Sequence, residues 1–135
     1  MGVALPALAR ELLDQQAFAV VTTINRDGSP QSSVIWARCD GDEIVFSTIR
    51  GRRKTRNMER DPRVSFVAYD PADPYRYVEV RGTVTMTEQR GDALIDELCR
   101  AYLGQPWPHR PGEIRVVCRL PATHIVTAER GHPQR

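Results

Sequence analysis

The side chains best suited to chemistry crowd into one stretch, Ser47-Thr48-Ile49-Arg50-Gly51-Arg52-Arg53-Lys54-Thr55-Arg56-Asn57-Met58-Glu59-Arg60-Asp61-Pro62-Arg63. From Arg50 to Arg63, six arginines and one lysine face only Glu59 and Asp61, a local excess of five positive charges in a chain of net charge +2. Lys54 is the only lysine among the 19 basic residues. A glycine, a burst of cations and hydroxyl or amide side chains at a strand-to-helix junction meet the needs of an anion site. Amides at a helix start point outward, and the helix dipole favours negative charge there. Charge alone leaves a second reading open, a solvated basic helix face.

No other residues form a self-sufficient catalytic set. His109, His124 and His132 have no second ligand at metal spacing, and H-E-x-x-H is absent. The sequence has no G-x-S-x-G elbow, no G-x-G-x-x-G and no G-x-x-x-x-G-K-[ST] loop. Asp40 and Asp42 belong to a turn, and Cys39 borders it with no histidine nearby in sequence. An enzyme built on this chain therefore needs a bound cofactor to carry the reaction, with the protein supplying position and electrostatics.

The elements that must position these groups follow from length and pattern. A chain of 135 residues, 41% hydrophobic, fits one domain over 1–135. No apolar run approaches the ~20 residues of a membrane span. Arg10, Glu11 and Asp14 interrupt the N-terminal apolar pattern, which argues against a signal peptide. Three widely spaced cysteines suit free thiols in a reducing cytoplasm. Leu5, Leu8, Ala9, Leu12 and Leu13 predict a helix over roughly 4–15. Strands follow over 17–25, 31–39 and 43–48, joined by turns at Asp27-Gly28 and Asp40-Gly41 into an antiparallel meander.

The basic helix, about 52–60, ends before Asp61-Pro62 and has almost no apolar residue besides Met58, which predicts shallow packing. A fourth strand spans 63–69, and a long alternating one spans 75–87 with Gly82 as its bend or bulge. Gly91–Leu103 carries a clear apolar helix stripe, expected to cap a barrel end. A Pro-rich loop around Trp107 leads to a closing strand, 114–120 and 124–127, broken at Pro121. Residues 131–135 read as a frayed tail. The sum is a mainly β, α+β fold, a six-stranded antiparallel split β-barrel with flanking helices; a two-layer α+β sandwich is the alternative.

The ordered set Thr22-Thr23-Ile24, Asp27-Gly28-Ser29-Pro30-Gln31, Ser47-Thr48, Arg52-Arg53-Lys54-Thr55-Arg56-Asn57, Asp61-Pro62-Arg63 and Tyr75-Arg76-Tyr77-Val78-Glu79-Val80-Arg81-Gly82 resembles the pyridoxamine-phosphate-oxidase-like split-barrel superfamily. Within it, the chain resembles the actinobacterial deazaflavin (F420)-dependent oxidoreductases. The resemblance implies a cytoplasmic homodimer with two cofactor sites between subunits. It implies that Arg52, Lys54, Thr55 and Asn57 hold the phosphate and polyglutamyl tail of F420, and that Ser47, Thr48 and Ile49 lie along the ring and ribityl chain. Gln31, Ser32, Ser33 and Val34 would face the ring with Trp36 near it, and Tyr75 and Tyr77 would come from the other subunit. The implied reaction is hydride transfer from reduced F420 to an electron-poor small molecule, such as a conjugated carbonyl, a tetrapyrrole or a quinone.

FMN is the alternative cofactor, as oxidase or reductase. A tail bearing a phosphate and several carboxylates matches an excess of five positive charges better than the single phosphate of FMN does. A non-catalytic carrier of the same cofactor is a further reading. Nucleic-acid binding through the basic stripe is disfavoured by the near-neutral total charge and the lack of a readable DNA motif.

Overall fold

The computed structural model describes residues 2–129. Helix α1 (Ala7–Asp14) is followed by strands β1 (Ala19–Ile24), β2 (Pro30–Ile35), β3 (Ala37–Asp40) and β4 (Glu43–Ile49), then helix α2 (Arg53–Arg60). Strands β5 (Arg63–Asp70), β6 (Asp73–Thr83) and β7 (Thr85–Thr87) lead to helix α3 (Gly91–Leu103), and β8 (Arg115–Ala128) closes the chain. The strands lie in the order β2-β1-β5-β6-β8-β4-β3, with β7 beside β8, and every pairing is antiparallel. This is a mostly antiparallel sheet curled into a half-barrel with three flanking helices, of the α+β class. None of these helices is long and apolar enough to cross a membrane.

The six expected strands are all present, two of them interrupted. The strand expected over 31–39 breaks at Trp36, so β2 pairs with β1 while β3 pairs with β4. What reads as a simple meander is a strand passing from one side of the barrel to the other. The long strand over 75–87 divides around Val84 into β6 and β7, and its register shifts between Arg81 and Gly82. A Cβ on Gly82 would stand 2.3 Å from the Pro121 carbonyl oxygen, so this crossing closes only around glycine. Pro121 does not break the last strand. Strand β8 runs continuously through it, pairing with β4 up to Pro121 and with β6 from Ala122 onward. A proline without an N–H is tolerated at this change of ladder partner.

Helix α1 is shorter than the 4–15 expected because Pro6 precedes it and Gln16, at φ 56°, turns out of it. Its Leu8, Ala9, Leu12 and Leu13 join Ile44, Phe46, Phe66, Val78, Val80 and Leu120 in the barrel core. Helix α3 has the expected bounds and ends at Gly104 in the left-handed region (φ 73°). It does not cap a barrel end. Leu94 and Leu98 pack with Val45 and Val117 on the outer face of β4 and β8, forming a second small core bordered by Trp36 and Tyr102. The run Ile44-Val45-Phe46 fails to alternate because β4 is covered on both faces. The tail expected to fray, 131–135, lies outside the described residues.

Gly82→Ala tests the crossing. The added methyl has no room beside Pro121, and overpacking of this kind costs about 1–3 kcal/mol. The expected result is a lower urea midpoint with an unchanged slope; an unchanged midpoint would show that the β6–β8 crossing has slack.

Candidate functional site

The turn from β4 into α2 is made at Gly51, whose φ of 93° suits glycine. The helix then begins without a side-chain cap and with no acidic residue in its first turn. Arg52, Arg53 and Lys54 gather at its positive end, where the macrodipole disfavours cations. Elsewhere the basic stretch is neutralised locally: Arg50 pairs with Glu59 (2.6 Å) and Glu88 (2.9 Å), and Arg63 with Asp61 (2.7 Å). Arg63 is solvent-facing as expected, and it holds the Asp61 carboxyl down at about 2. Arg60 is exposed too, but donates to the Ile24 carbonyl. Among the described residues, Arg52, Arg53, Lys54 and Arg56 form no ion pair. The helix divides these cations. Arg52 and Lys54 line a groove, while Arg53 and Arg56 line a second recess with Arg26 and Asn57.

That groove, about 330 Å³, lies between the start of α2, β4, α3 and the loop after α3. Ser47, Thr48 and Ile49 of β4 form one wall, and Val34 and Trp36, at the break between β2 and β3, form another. Val34 keeps 66% of its surface exposed, large for an apolar side chain at a site mouth. The break at Trp36 thus does more than redirect a strand: it turns an indole towards the groove. Trp36 stacks on Tyr102 (5.5 Å between centroids) and meets Trp107 edge-on (6.2 Å).

Lys54 is partly buried, and its Nζ donates to Ser33 Oγ at 3.2 Å. Burial, then the nearby charges of Arg52 and Arg115, pull its pKa below the ordinary 10.5. An anion beside this lysine would favour its charged form and oppose that shift.

The remaining residues singled out in the sequence do not line this groove. Thr55 and Asn57 are buried and committed to the protein. Thr55 Oγ1 donates to the Ile49 carbonyl (2.6 Å) and so accepts from Thr48 Oγ1 (2.8 Å). Asn57 Nδ2 donates to Thr23 Oγ1 and Asn25 Oδ1, both at 3.0 Å. With Met58, which is fully buried, they fasten the basic helix to the barrel more deeply than its composition suggests. Gln31 and Ser32 bond to Thr23 and Thr22 on β1. Ser33 reaches the groove only through Lys54. Tyr75 and Tyr77 lie on β6, away from the groove in a single chain.

Four contributors escaped the sequence reading. Ile35 of β2 and Ile95 and Leu98 of α3 line the groove, as does Arg115 at the start of β8. Arg115 Nε donates to Glu113 Oε1 at 2.6 Å, and its guanidinium lies 4.5 Å over the Trp107 ring. A lone arginine opening the apolar run Val116-Val117-Cys118 was the available signal. Trp107, whose place was open, belongs to the groove; its backbone N–H is held by Asp96 Oδ1 at 3.0 Å. The thiols contribute no nucleophile: burial raises the pKa of Cys39, and that of Cys118 to about 12. Among the described residues no cluster of potential metal ligands exists.

Residues 5–122 match the family model described as pyridoxamine 5'-phosphate oxidase. An F420 reductase of known structure is 30% identical, with a TM-score of 0.79, covering 90% of this chain and 98% of that one. A conserved hypothetical protein from Mycobacterium tuberculosis superposes at TM-score 0.75 with 20% identity, over 99% and 96% of the two chains. A pyridoxamine 5'-phosphate oxidase-related, FMN binding protein from Nostoc punctiforme superposes at 0.63 with 17% identity, over 87% and 77%.

Asn57→Ala should separate fastening from ligand binding. Leaving Thr23 Oγ1 and Asn25 Oδ1 short of a donor in a buried place costs about 1–3 kcal/mol. Ligand-free protein carrying this change should unfold at lower denaturant; wild-type stability would show that Asn57 does not secure α2.

Proposed function

This chain belongs to the pyridoxamine 5'-phosphate oxidase family, and on that premise we propose that it is an oxidoreductase using a phosphate-bearing flavin or deazaflavin, specifically F420. The observation that carries this reading is the uncompensated positive charge at the start of α2, beside an aromatic-walled groove. A fold that places Arg52 and Lys54 there, with no carboxylate answering them, is completed by an anion. The family match supports the flavin class. The likeness to an F420 reductase supports the deazaflavin within it. Arg53, Arg56 and Arg26 exceed the needs of one phosphate, which favours a cofactor with a further anionic tail over FMN.

In this reading Arg52, Lys54 and the uncapped amides of α2 hold the phosphate, and Ser47, Thr48 and Ile49 border the ring and its chain. Trp36 and the exposed Val34 supply apolar surface for the ring. When bound, the cofactor supplies hydride-transfer chemistry, and the acceptor is an electron-poor small molecule entering at the groove mouth. Among the described residues lining the groove this reading assigns none as the acid, and solvent is its proton source.

The functional unit of the proposal is a homodimer. The outer face of β1, β5, β6 and β8 carries Val20, Val67, Tyr69, Tyr77 and Val126, with Glu79 standing between Val67 and Val126 in register, and this largely apolar band is half-buried to exposed in one chain. A second copy on this band would bring its Tyr75 and Tyr77 towards the first copy's groove, near Val34.

Titration of the purified protein with F420 and with FMN, followed by calorimetry, tests the cofactor. F420 should bind more tightly. A charge-assisted contact contributes about 1.5–3 kcal/mol, so Lys54→Ala should weaken binding roughly ten- to a hundredfold. Preference for FMN would reassign the cofactor, and unchanged affinity in Lys54→Ala would remove Lys54 from the site.

A further inference from the structure

The reading above leaves Arg115 unexplained, although it is only 9% exposed and lines the groove. Its place is fixed from three directions. Register sets it across from Ile49, two residues before the Gly51 turn into α2. Gly91, the first residue of α3, packs against its backbone so closely that a Cβ would fall 2.2 Å from the Arg115 carbonyl oxygen. Its side chain is held at Nε by Glu113, at Nη1 by Ser47 Oγ (3.3 Å) and on one face by Trp107. The other terminal nitrogen, Nη2, has no partner among the described residues and is not one of the sealed, unpartnered atoms. It is left to the groove.

Charge points the same way. Burial first, then the charges of Arg52 and Arg115, lower the pKa of Lys54, and among the described residues only Arg115 of the three is ion-paired, to Glu113, with Asp92 also acting on it. The groove end thus keeps an excess of positive charge, the complement of a phosphate group. If Arg115 served only as a prop for Trp107, its pairing with Glu113 would be sufficient, and there would be no reason to keep one edge of the fork open beside two unpaired cations.

We infer that Arg115 is a specificity-determining residue: with Arg52 and Lys54 it closes a three-cation clamp that selects ligands bearing a phosphate over the same ring system without one. The inference rests on the cofactor reading above but adds a residue and a basis of discrimination to it. Ser47 and Glu113 fix the guanidinium in place, and its free Nη2 donates to the phosphate from a fixed plane that a lysine does not reproduce.

The test is calorimetric titration of wild type, Arg115→Met and Arg115→Lys with two ligand pairs: FMN against riboflavin, and F420 against its chromophore lacking phosphate and tail. Wild type should prefer the phosphorylated member of each pair it binds. Arg115→Met should lose roughly ten- to a hundredfold for that member alone, with Arg115→Lys recovering part of the loss. Equal losses for both members would make Arg115 a wall of the groove, and no loss would make it a bystander; either overturns the inference. If Arg115→Met fails to fold, Arg115→Lys alone decides, since its loss should still be confined to the phosphorylated ligand. If wild type itself ignores the phosphate, the cofactor reading falls together with this inference; if wild type discriminates and the variants discriminate equally, only this inference falls.

Discussion

Positive charge held at the positive end of a helix is the constraint from which the rest of this structure can be understood. Each cation at a helix N-terminus is unfavourable by about 0.3–1 kcal/mol, and Lys54 is partly desolvated as well. Helix α2 has only eight residues and a single core-forming apolar side chain, so it would not hold this arrangement by itself. It is held from outside. Burying Met58 contributes about 1.5–3 kcal/mol; the Thr48–Thr55–Ile49 and Asn57–Thr23–Asn25 hydrogen bonds add about 0.5–1.5 each. These exceed the repulsion and leave Arg52 and Lys54 fixed without a carboxylate partner among the described residues.

The remaining architecture turns that local imbalance into a groove. The break at Trp36 moves the chain between two parts of the barrel and leaves an indole at the change of direction. Helix α3, lying on the outer face of β4 and β8, raises a wall opposite α2 and carries Asp96, which holds the Trp107 backbone. Gly91 seats the start of that helix against Arg115. The groove is therefore bounded by elements far apart in sequence: α3 packs on β4 and β8, while α2 is tied to β4 and to β1.

Much of this was legible in the sequence, and the gaps have physical causes. Alternation and turn chemistry revealed six strands, and the stripe from Leu94 to Leu103 with Gly104 beyond it revealed α3 to its ends. The break at Trp36 was not visible because residues 31–39 remain compatible with one strand; only the change of pairing partner divides them. The side on which α3 packs depends on β4 being covered on both faces, for which Ile44-Val45-Phe46 was a signal left unused. Within the basic stretch, residue type did not separate side chains facing a ligand from those facing the barrel: Thr55 and Asn57 resemble anion ligands in composition, and burial commits them to the fold. Arg115 was missed because it is distant in sequence from the cluster it joins and is brought there by strand register.

The central claim is that the charge at the start of α2 is maintained for a ligand and at the expense of the ligand-free fold. Thermal unfolding of the ligand-free Arg52→Gln/Lys54→Met variant tests it most directly. The expected result is a melting temperature at or above wild type, together with loss of the stabilisation that added F420 is expected to give the wild-type protein. A clearly lower melting temperature without ligand would contradict it, because the two cations would then be supporting the fold itself.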